Sequence, residues 1–177
     1  MAQRALELQA ADVAAVAKLA VGYFSGKVAS AEVRPARERA KMSAREAVKL
    51  ETGDRLSAAR GLEQACDAAW RAVEEASRFE AVDERFLPMA RELAEALETL
   101  KVAVNAEGEA AVAALVEVKR RALEIERMHR EVRRSAQDDP RFVTGLKTGA
   151  VGLRLSDAAE SVQAVCDALS ERLGGNS

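Results

Sequence analysis

The sequence predicts an all-α protein, and three observations support this prediction. Ala, Leu, Glu, Arg and Lys, which are strong helix formers, dominate the chain. Aromatic residues make up only 3% of it, and no alternating run of β-branched and aromatic residues indicates a strand. Apolar residues recur three and four positions apart over long stretches, as on one face of a helix. With 49% hydrophobic and 32% charged residues, the 177-residue chain is expected to fold around a core.

Turn and capping residues divide the first half of the chain into three predicted helices. The second of them starts either near Ser30 or just before Pro35, since proline suits the first turn of a helix. Asp54 is the predicted N-cap of the third, which is expected to reach about Glu80. The three predicted spans are about 6–24, 30–52 and 54–80.

The second half of the chain predicts three more helices. Pro88 falls in the first turns of the fourth helix, Gly108 separates the fourth from the fifth, and Pro140 marks a turn before the sixth. The predicted spans are about 83–105, 109–135 and 140–173. Three glycines near the start of the sixth helix permit either a close helix contact or a kink, and the sequence does not decide between them: Gly145, Gly149 and Gly152.

The apolar residues of these later helices form continuous seams, which predicts nearly antiparallel packing through short loops. Leu97 and Leu169 occupy seam positions and are predicted to be core residues. The seams comprise Phe86, Met89, Leu93, Leu97, Leu100 and Val104 in the fourth helix, Leu115, Val118, Ala122, Ile125, His129 and Val132 in the fifth, and Leu155, Ala158, Val162, Val165 and Leu169 in the sixth.

Charge and motifs exclude several classes of function. The net charge is −2 and the basic residues alternate with acids, so no footprint of a nucleic-acid-binding protein is present. No segment reaches 18 uninterrupted apolar residues, which argues against membrane insertion. Cys66 and Cys166 lie within apolar helical patterns, so buried free thiols and a reducing compartment are expected. His129, the single histidine, is predicted to be a partly buried structural residue, and no nucleotide-binding or hydrolase motif occurs.

Two pairs of acids have a spacing that places them on one helix face. Glu63 and Asp67 are four residues apart on the third helix, and Asp157 and Glu160 are three apart on the sixth. Both pairs point away from the apolar stripe of their helix. Like charges at such spacing repel mildly, and a bound cation would reverse the effect because hard cations collect oxygen ligands. The alternative is that both pairs belong to ordinary solvated faces.

At these residues the sequence resembles a known family. The segments Leu62-Glu63-Gln64-Ala65-Cys66-Asp67 and Leu155-Ser156-Asp157-Ala158-Ala159-Glu160 are similar to those of the PhoU-like phosphate-transport regulators, in particular the short branch usually encoded beside low-affinity phosphate permeases. The resemblance covers nearly the whole chain in helix order. It implies a single domain, 1–177, that forms a six-helix antiparallel bundle of two three-helix repeats, at about 1–81 and 82–177.

The resemblance also implies carboxylates that bind metal, such as Fe, Zn or another divalent ion, on the bundle surface. Glu63 and Asp67 match the first acidic signature, and in the second Asp157 is present whereas Leu153 replaces the other acid. The remaining implied ligands are Glu160, which matches a recurrent acid, and Glu124, whose partner position holds Met128. An acidic pair expected on the second helix, in the stretch that holds Pro35, is not recognisable. We further expect Glu63, Asp67 and Asp157 to converge on one patch.

The function that the resemblance implies is regulatory. The chain would be a cytoplasmic accessory protein that modulates phosphate uptake or phosphate signalling by binding a phosphate permease or a sensor kinase. The alternative is a helical scaffold that has lost metal binding, and an enzyme is the third hypothesis, for which a base is missing. Self-association to a homodimer is expected through an exposed apolar stripe on the first helix, formed by Ala14, Leu19, Val21 and Phe24.

Overall fold

The computed structural model describes residues 2–79 and 83–174, and these residues form six α-helices and one short 3-10 turn, with no strand among them. The prediction of an all-α fold is therefore confirmed. The helices are α1 (Ala2–Phe24), α2 (Ser30–Leu50), α3 (Gly53–Ala76), α4 (Leu87–Asn105), α5 (Gly108–Gln137) and α6 (Phe142–Gly174), and the 3-10 turn is Glu84–Phe86.

The structure shows where α2 begins, which the sequence left open, and corrects the predicted N-cap of α3. Helix α2 begins at Ser30, so Pro35 lies inside the helix, where its missing N–H leaves one intrahelical bond unmade. The N-cap of α3 is Thr52, so the prediction of Asp54 as N-cap was wrong. Asp54 lies instead in the first turn, where a carboxylate favours the positive end of the helix dipole. Gly53, with a φ of 56°, makes the sharp entry that residues with a Cβ rarely adopt.

Helix α3 ends at Ala76, earlier than expected, and both the predicted end at Glu80 and the repeat boundary near 81 fall outside the described residues. Helix α1 packs against α2, α3 and α4, and α5 packs against α4 and α6. The most extensive helix pair is α3 with α6. The first three helices contact one another, as do the last three, and these two groups also pack extensively on each other through α1–α4 and α3–α6. The division of the chain into two repeats stays a prediction.

The predicted seams form the core. Leu97 and Leu169 are 1% and 6% exposed, as predicted, and the seam residues of α4, α5 and α6 are buried except for His129, which is partly buried. Phe24 and Phe86 join the two groups of helices, with ring centroids 5.8 Å apart. Within the described part of the chain, no helix has the length and hydropathy needed to cross a membrane.

The expectation of an exposed apolar stripe on the first helix was wrong. Ala14 and Phe24 are fully buried, and Leu19 and Val21 are partly buried against the core. The physical reason is that three neighbouring helices pack against α1 and cover the positions of these four residues. Self-association therefore stays a prediction without this surface to support it.

Small residues bring α3 and α6 close together. A Cβ on Gly61 would lie 2.6 Å from Cγ2 of Val165, a distance that real Cβ atoms do not show. In α6, a Cβ on Gly145 would clash with the carbonyl oxygen of Ala136, and one on Gly152 would lie 3.1 Å from Cγ1 of Val132. Since α6 is one continuous helix from Phe142 to Gly174, close contact is the role of Gly145 and Gly152. A Cβ on Gly149 would meet no atom within 4 Å.

Candidate functional site

The acids singled out on α3 and α6 lie in one groove between these two helices. Glu63 and Asp67 of α3 and Asp157 of α6 all line it, and its volume is about 530 Å³. Six other residues line it, and three of them are arginines: Arg60, Gln64, Ala68, Arg71, Arg154 and Ser161. We call this the α3–α6 groove. The two helices approach closely beside it, since a Cβ on Gly61 would lie 3.3 Å from the carbonyl oxygen of Ser161, which lines the groove.

Asp67 is held by an arginine from a third helix. The Nη2 and Nε atoms of Arg37, on α2, donate to Oδ1 of Asp67 at 3.0 and 3.2 Å. The guanidinium carbon of Arg37 also lies 5.5 Å from the ring centroid of Trp70, within the range of a cation–π interaction. The side chains of Arg37 and Asp67 are 20% and 33% exposed, so water screens this pair only in part.

Asp157 is held by an arginine of its own helix. The Nη1 atom of Arg154 donates to Oδ2 of Asp157 at 3.2 Å, and its Nε atom donates to Oε1 of Glu75 at 3.0 Å. Hydrogen bonding to Glu75 is the main reason why the pKa of Arg154 lies above its ordinary value. Arg154 therefore joins α6 to α3 while it neutralises Asp157.

The remaining predicted site residues behave differently from one another. Glu63 is partly buried in the α3–α6 groove and has no ion pair with any residue that the structure describes. Glu160 is exposed and is not among the residues that line the groove. Glu124 lies on α5, where Nε of Arg127 donates to its Oε2 at 3.0 Å and lowers its pKa. The groove thus brings together three of the five predicted acids.

The residues of the α3–α6 groove do not fit a metal ion. Asp67 and Asp157 already accept hydrogen bonds from guanidinium groups, and Arg60 and Arg71 place two more positive charges on the same walls. Among residues 2–79 and 83–174, no group of three or more His, Cys, Asp or Glu side chains is placed to hold a metal ion. A divalent cation would have to displace arginines to reach oxygen ligands. Metal binding at the five predicted acids stays a prediction without structural support.

His129 lies close to this groove but lines another one. It is partly buried on α5, as predicted, and burial lowers its pKa, with the charge of Arg133 lowering it further and that of Asp157 opposing the change. With Leu146 and Leu153 it lines a groove of about 630 Å³ between α5 and α6. Leu146 and Leu153 are 59% and 46% exposed, which makes this α5–α6 groove partly apolar.

A third groove lies between α1, α2 and α4. Its volume is about 900 Å³, and Leu8, Leu50 and Val102 line it with roughly half of each side chain exposed. Charged side chains of both signs, including Arg4 and Glu7, surround these apolar residues. We call it the α1–α4 groove.

Neither cysteine is suited to nucleophilic chemistry. Cys66 and Cys166 are free and buried, as expected. Burial raises the pKa of each thiol to about 12, so almost none is in the thiolate form at neutral pH. Only the thiolate is a strong nucleophile or metal ligand.

The arginines of the groove were not singled out by sequence reasoning. Arg154 precedes Asp157 by three residues on a helix, a spacing that could have indicated the pair. Arg37 is 30 residues from Asp67, so nothing local in the sequence pairs them. It stands two residues after Pro35, in the stretch where the resemblance implies acids.

Comparison with known proteins defines the class of this fold. No protein-family model matches the sequence, and no curated protein matches it. Among solved structures, the phosphate transport system regulatory protein PhoU from Streptococcus pneumoniae is similar, with a TM-score of 0.67 over 99% of this chain and 94% of that chain. The identity over the match is 12%, so the likeness is one of fold. The chain therefore has a divergent PhoU-like fold, an all-α bundle, as the resemblance implied.

Proposed function

We propose that this chain is a cytoplasmic accessory protein that modulates phosphate uptake or phosphate signalling by binding a protein partner. The single observation that carries the proposal is the likeness to PhoU, whose solved structure is that of a phosphate transport system regulatory protein, over 99% of this chain. Because the match covers 99% of this chain, the likeness extends over the whole bundle and not over one part of it.

Two features support action by binding over catalysis. The thiols of Cys66 and Cys166, the strongest potential nucleophiles, have pKa values of about 12. The aspartates of the α3–α6 groove accept hydrogen bonds from Arg37 and Arg154, so neither carboxylate is free to act as a general base. The partner we propose is a phosphate permease, at its cytoplasmic face, or a sensor kinase.

The experiment that tests this function is deletion of the gene in its source organism, followed by measurement of radiolabelled phosphate uptake and of a phosphate-responsive promoter. We expect deletion to change at least one of the two, and expression of the wild-type chain to restore it. If neither changes under phosphate starvation or excess, the phosphate role is wrong and a helical scaffold of other function is the better proposal.

Two pairs of surface variants distinguish action through a partner from an indirect effect. Leu8→Glu with Val102→Glu alters the α1–α4 groove, and Leu146→Glu with Leu153→Glu alters the α5–α6 groove. Because all four side chains are about half exposed, both variants should keep the wild-type melting temperature. Loss of complementation by one pair at normal protein level supports binding through that surface, and each pair is the control for the other.

A further inference from the structure

We infer that Arg37 and Arg154 are the built-in counter-cations of the α3–α6 groove, and that these two guanidinium groups exclude divalent metal ions from its carboxylates. The inference starts from the disagreement between the metal ligands that the resemblance implies and the contacts that those ligands make. Glu63, Asp67 and Asp157 share one groove, yet both aspartates accept hydrogen bonds from arginine N–H groups. It concerns only the side chains of this chain and does not depend on the phosphate role.

The charges of the groove balance without any added ion. Three carboxylates line it, those of Glu63, Asp67 and Asp157, and three guanidinium groups line it with them, those of Arg60, Arg71 and Arg154. A divalent cation would therefore raise the net charge of this surface from about zero to plus two. Coulomb repulsion from nearby guanidinium groups opposes its binding, most strongly where side chains are partly withdrawn from water.

The positions of the two arginines distinguish them from the other basic residues of the groove. Arg37 makes two hydrogen bonds to one oxygen of Asp67 and stacks near the ring of Trp70, so its guanidinium is fixed from two directions. Arg154 is fixed between Glu75 and Asp157 on two different helices. Arg60 and Arg71 are exposed and make no ion pair with the described residues, so they contribute charge without occupying a carboxylate.

Arg37 and Arg154 neutralise the groove aspartates in a way that a bound metal ion could not. Arginine fits a carboxylate through fixed N–H donors and stays charged at any pH that a folded protein survives. Unlike a metal ion, it cannot dissociate when the free ion concentration falls. The acids on α3 and α6 are therefore neutralised under all metal conditions, and the packing of α2 on α3 and of α6 on α3 is stabilised permanently.

Thermal melts of the purified, tag-free chain with Mg²⁺, Mn²⁺, Zn²⁺, Ni²⁺ and Fe²⁺ test the inference. A metal that bound only the folded state would stabilise it and raise the midpoint. Because we infer that none binds in the groove, we expect the wild-type midpoint to stay unchanged. A metal-dependent rise that Glu63→Gln with Asp67→Asn abolishes would overturn the inference. Elemental analysis of the protein as isolated gives an independent readout, and a stoichiometric metal there would also overturn it.

The variant Arg37→Gln with Arg154→Gln tests whether the guanidinium groups themselves exclude the metal. Its midpoint without metal should fall by about 2–4 °C, since it leaves three partly buried acids, Asp67, Glu75 and Asp157, without these ion pairs. Addition of Zn²⁺ or Mn²⁺ should then raise the midpoint, and a further Asp67→Asn substitution should remove that response. If the variant shows no metal response, the two arginines are not what excludes the ion. Arg60→Gln with Arg71→Gln removes the same charge from the same groove and should leave both the midpoint and the metal response as they are in wild type.

Discussion

Helices α3 and α6 both line the groove with acids, but they neutralise these acids in different ways. Asp67 of α3 is paired with Arg37, which comes from another helix and lies over Trp70. Asp157 of α6 is paired with Arg154, one turn earlier on its own helix, and Arg154 then reaches Glu75 on α3. The first pair depends on how α2 packs against α3, whereas the second is present as soon as α6 forms. Similar acidic pairs in the sequence therefore have two different structural roles.

The apolar faces of the same two helices are alike. Leu62 of α3 and Leu155 of α6 are both fully buried in the core. Helices α3 and α6 thus both place a leucine in the core, but they differ in where the arginine that pairs with their groove aspartate comes from. The predictions below test this contrast from its largest expected effect to its smallest.

Truncation of either leucine should give the largest loss of stability. We expect Leu62→Ala and Leu155→Ala each to lower the free energy of unfolding by ~2–5 kcal/mol, from lost burial and the cavity left behind. Chemical denaturation followed by circular dichroism measures this. If one leucine costs several times less than the other, the cores of the two halves are not equivalent. Leu153→Ala, at an exposed position of α6, is the control and should change stability little.

The close contact of α3 with α6 should be the next most sensitive feature. Gly61→Ala should lower the free energy of unfolding by about 1–3 kcal/mol, since its Cβ would overlap Cγ2 of Val165 and force the helices apart. Gly149→Ala is the matched control, because a Cβ there meets no atom within 4 Å. It should raise the free energy of unfolding by about 1 kcal/mol, since alanine favours a helix over glycine by that amount. A stabilised Gly61→Ala variant would show that the two helices adjust freely.

The sequence predicted the fold well because helical periodicity is a local property. The seams of α4, α5 and α6 can be identified from residues three and four apart, and the structure buries Leu97 and Leu169 as predicted. The same local reasoning failed for α1, since whether Ala14 and Phe24 are exposed depends on how many other helices cover α1. Helix starts also depend on details of the turn, which is why Asp54 was wrongly predicted as an N-cap.

The candidate site was predicted only in part, for a similar reason. The spacing of Glu63 and Asp67 indicates a shared face, and the structure places both in a groove with Asp157. The partner of Asp67 lies 30 residues away on another helix, so no pattern within α3 reveals that Arg37 neutralises it. Acids can be found from sequence, but the charges that face them follow from tertiary packing.

Neutralising the two aspartates should have unequal effects. Asp67→Asn should lower the free energy of unfolding by ~1 kcal/mol, because it leaves Arg37, at 20% exposure, without its main partner. Asp157→Asn should cost only ~0.3 kcal/mol, since Arg154 keeps its bond to Glu75. The difference should shrink in about 1 M salt, where the Debye length is about 3 Å. Equal losses would mean that both pairs are ordinary surface ion pairs.

The smallest expected effect is a pH dependence on the α6 side alone, where His129 faces both Asp157 and Arg133. Burial and the charge of Arg133 lower the pKa of His129 below its ordinary value of 6.5, so the unfolded chain binds this proton more readily than the folded one. The contribution of His129 is therefore complete above pH 6.5 and is lost as the pH falls through the lowered pKa.

Melting midpoints of wild type and His129→Gln between pH 8 and about pH 5 isolate this contribution, because other titrating groups are common to both proteins. We expect the midpoint of wild type to fall relative to that of the variant on acidification. A relative rise would mean that attraction to Asp157 outweighs burial, and that the α6 side holds a protonated histidine much as the α3 side holds Arg37.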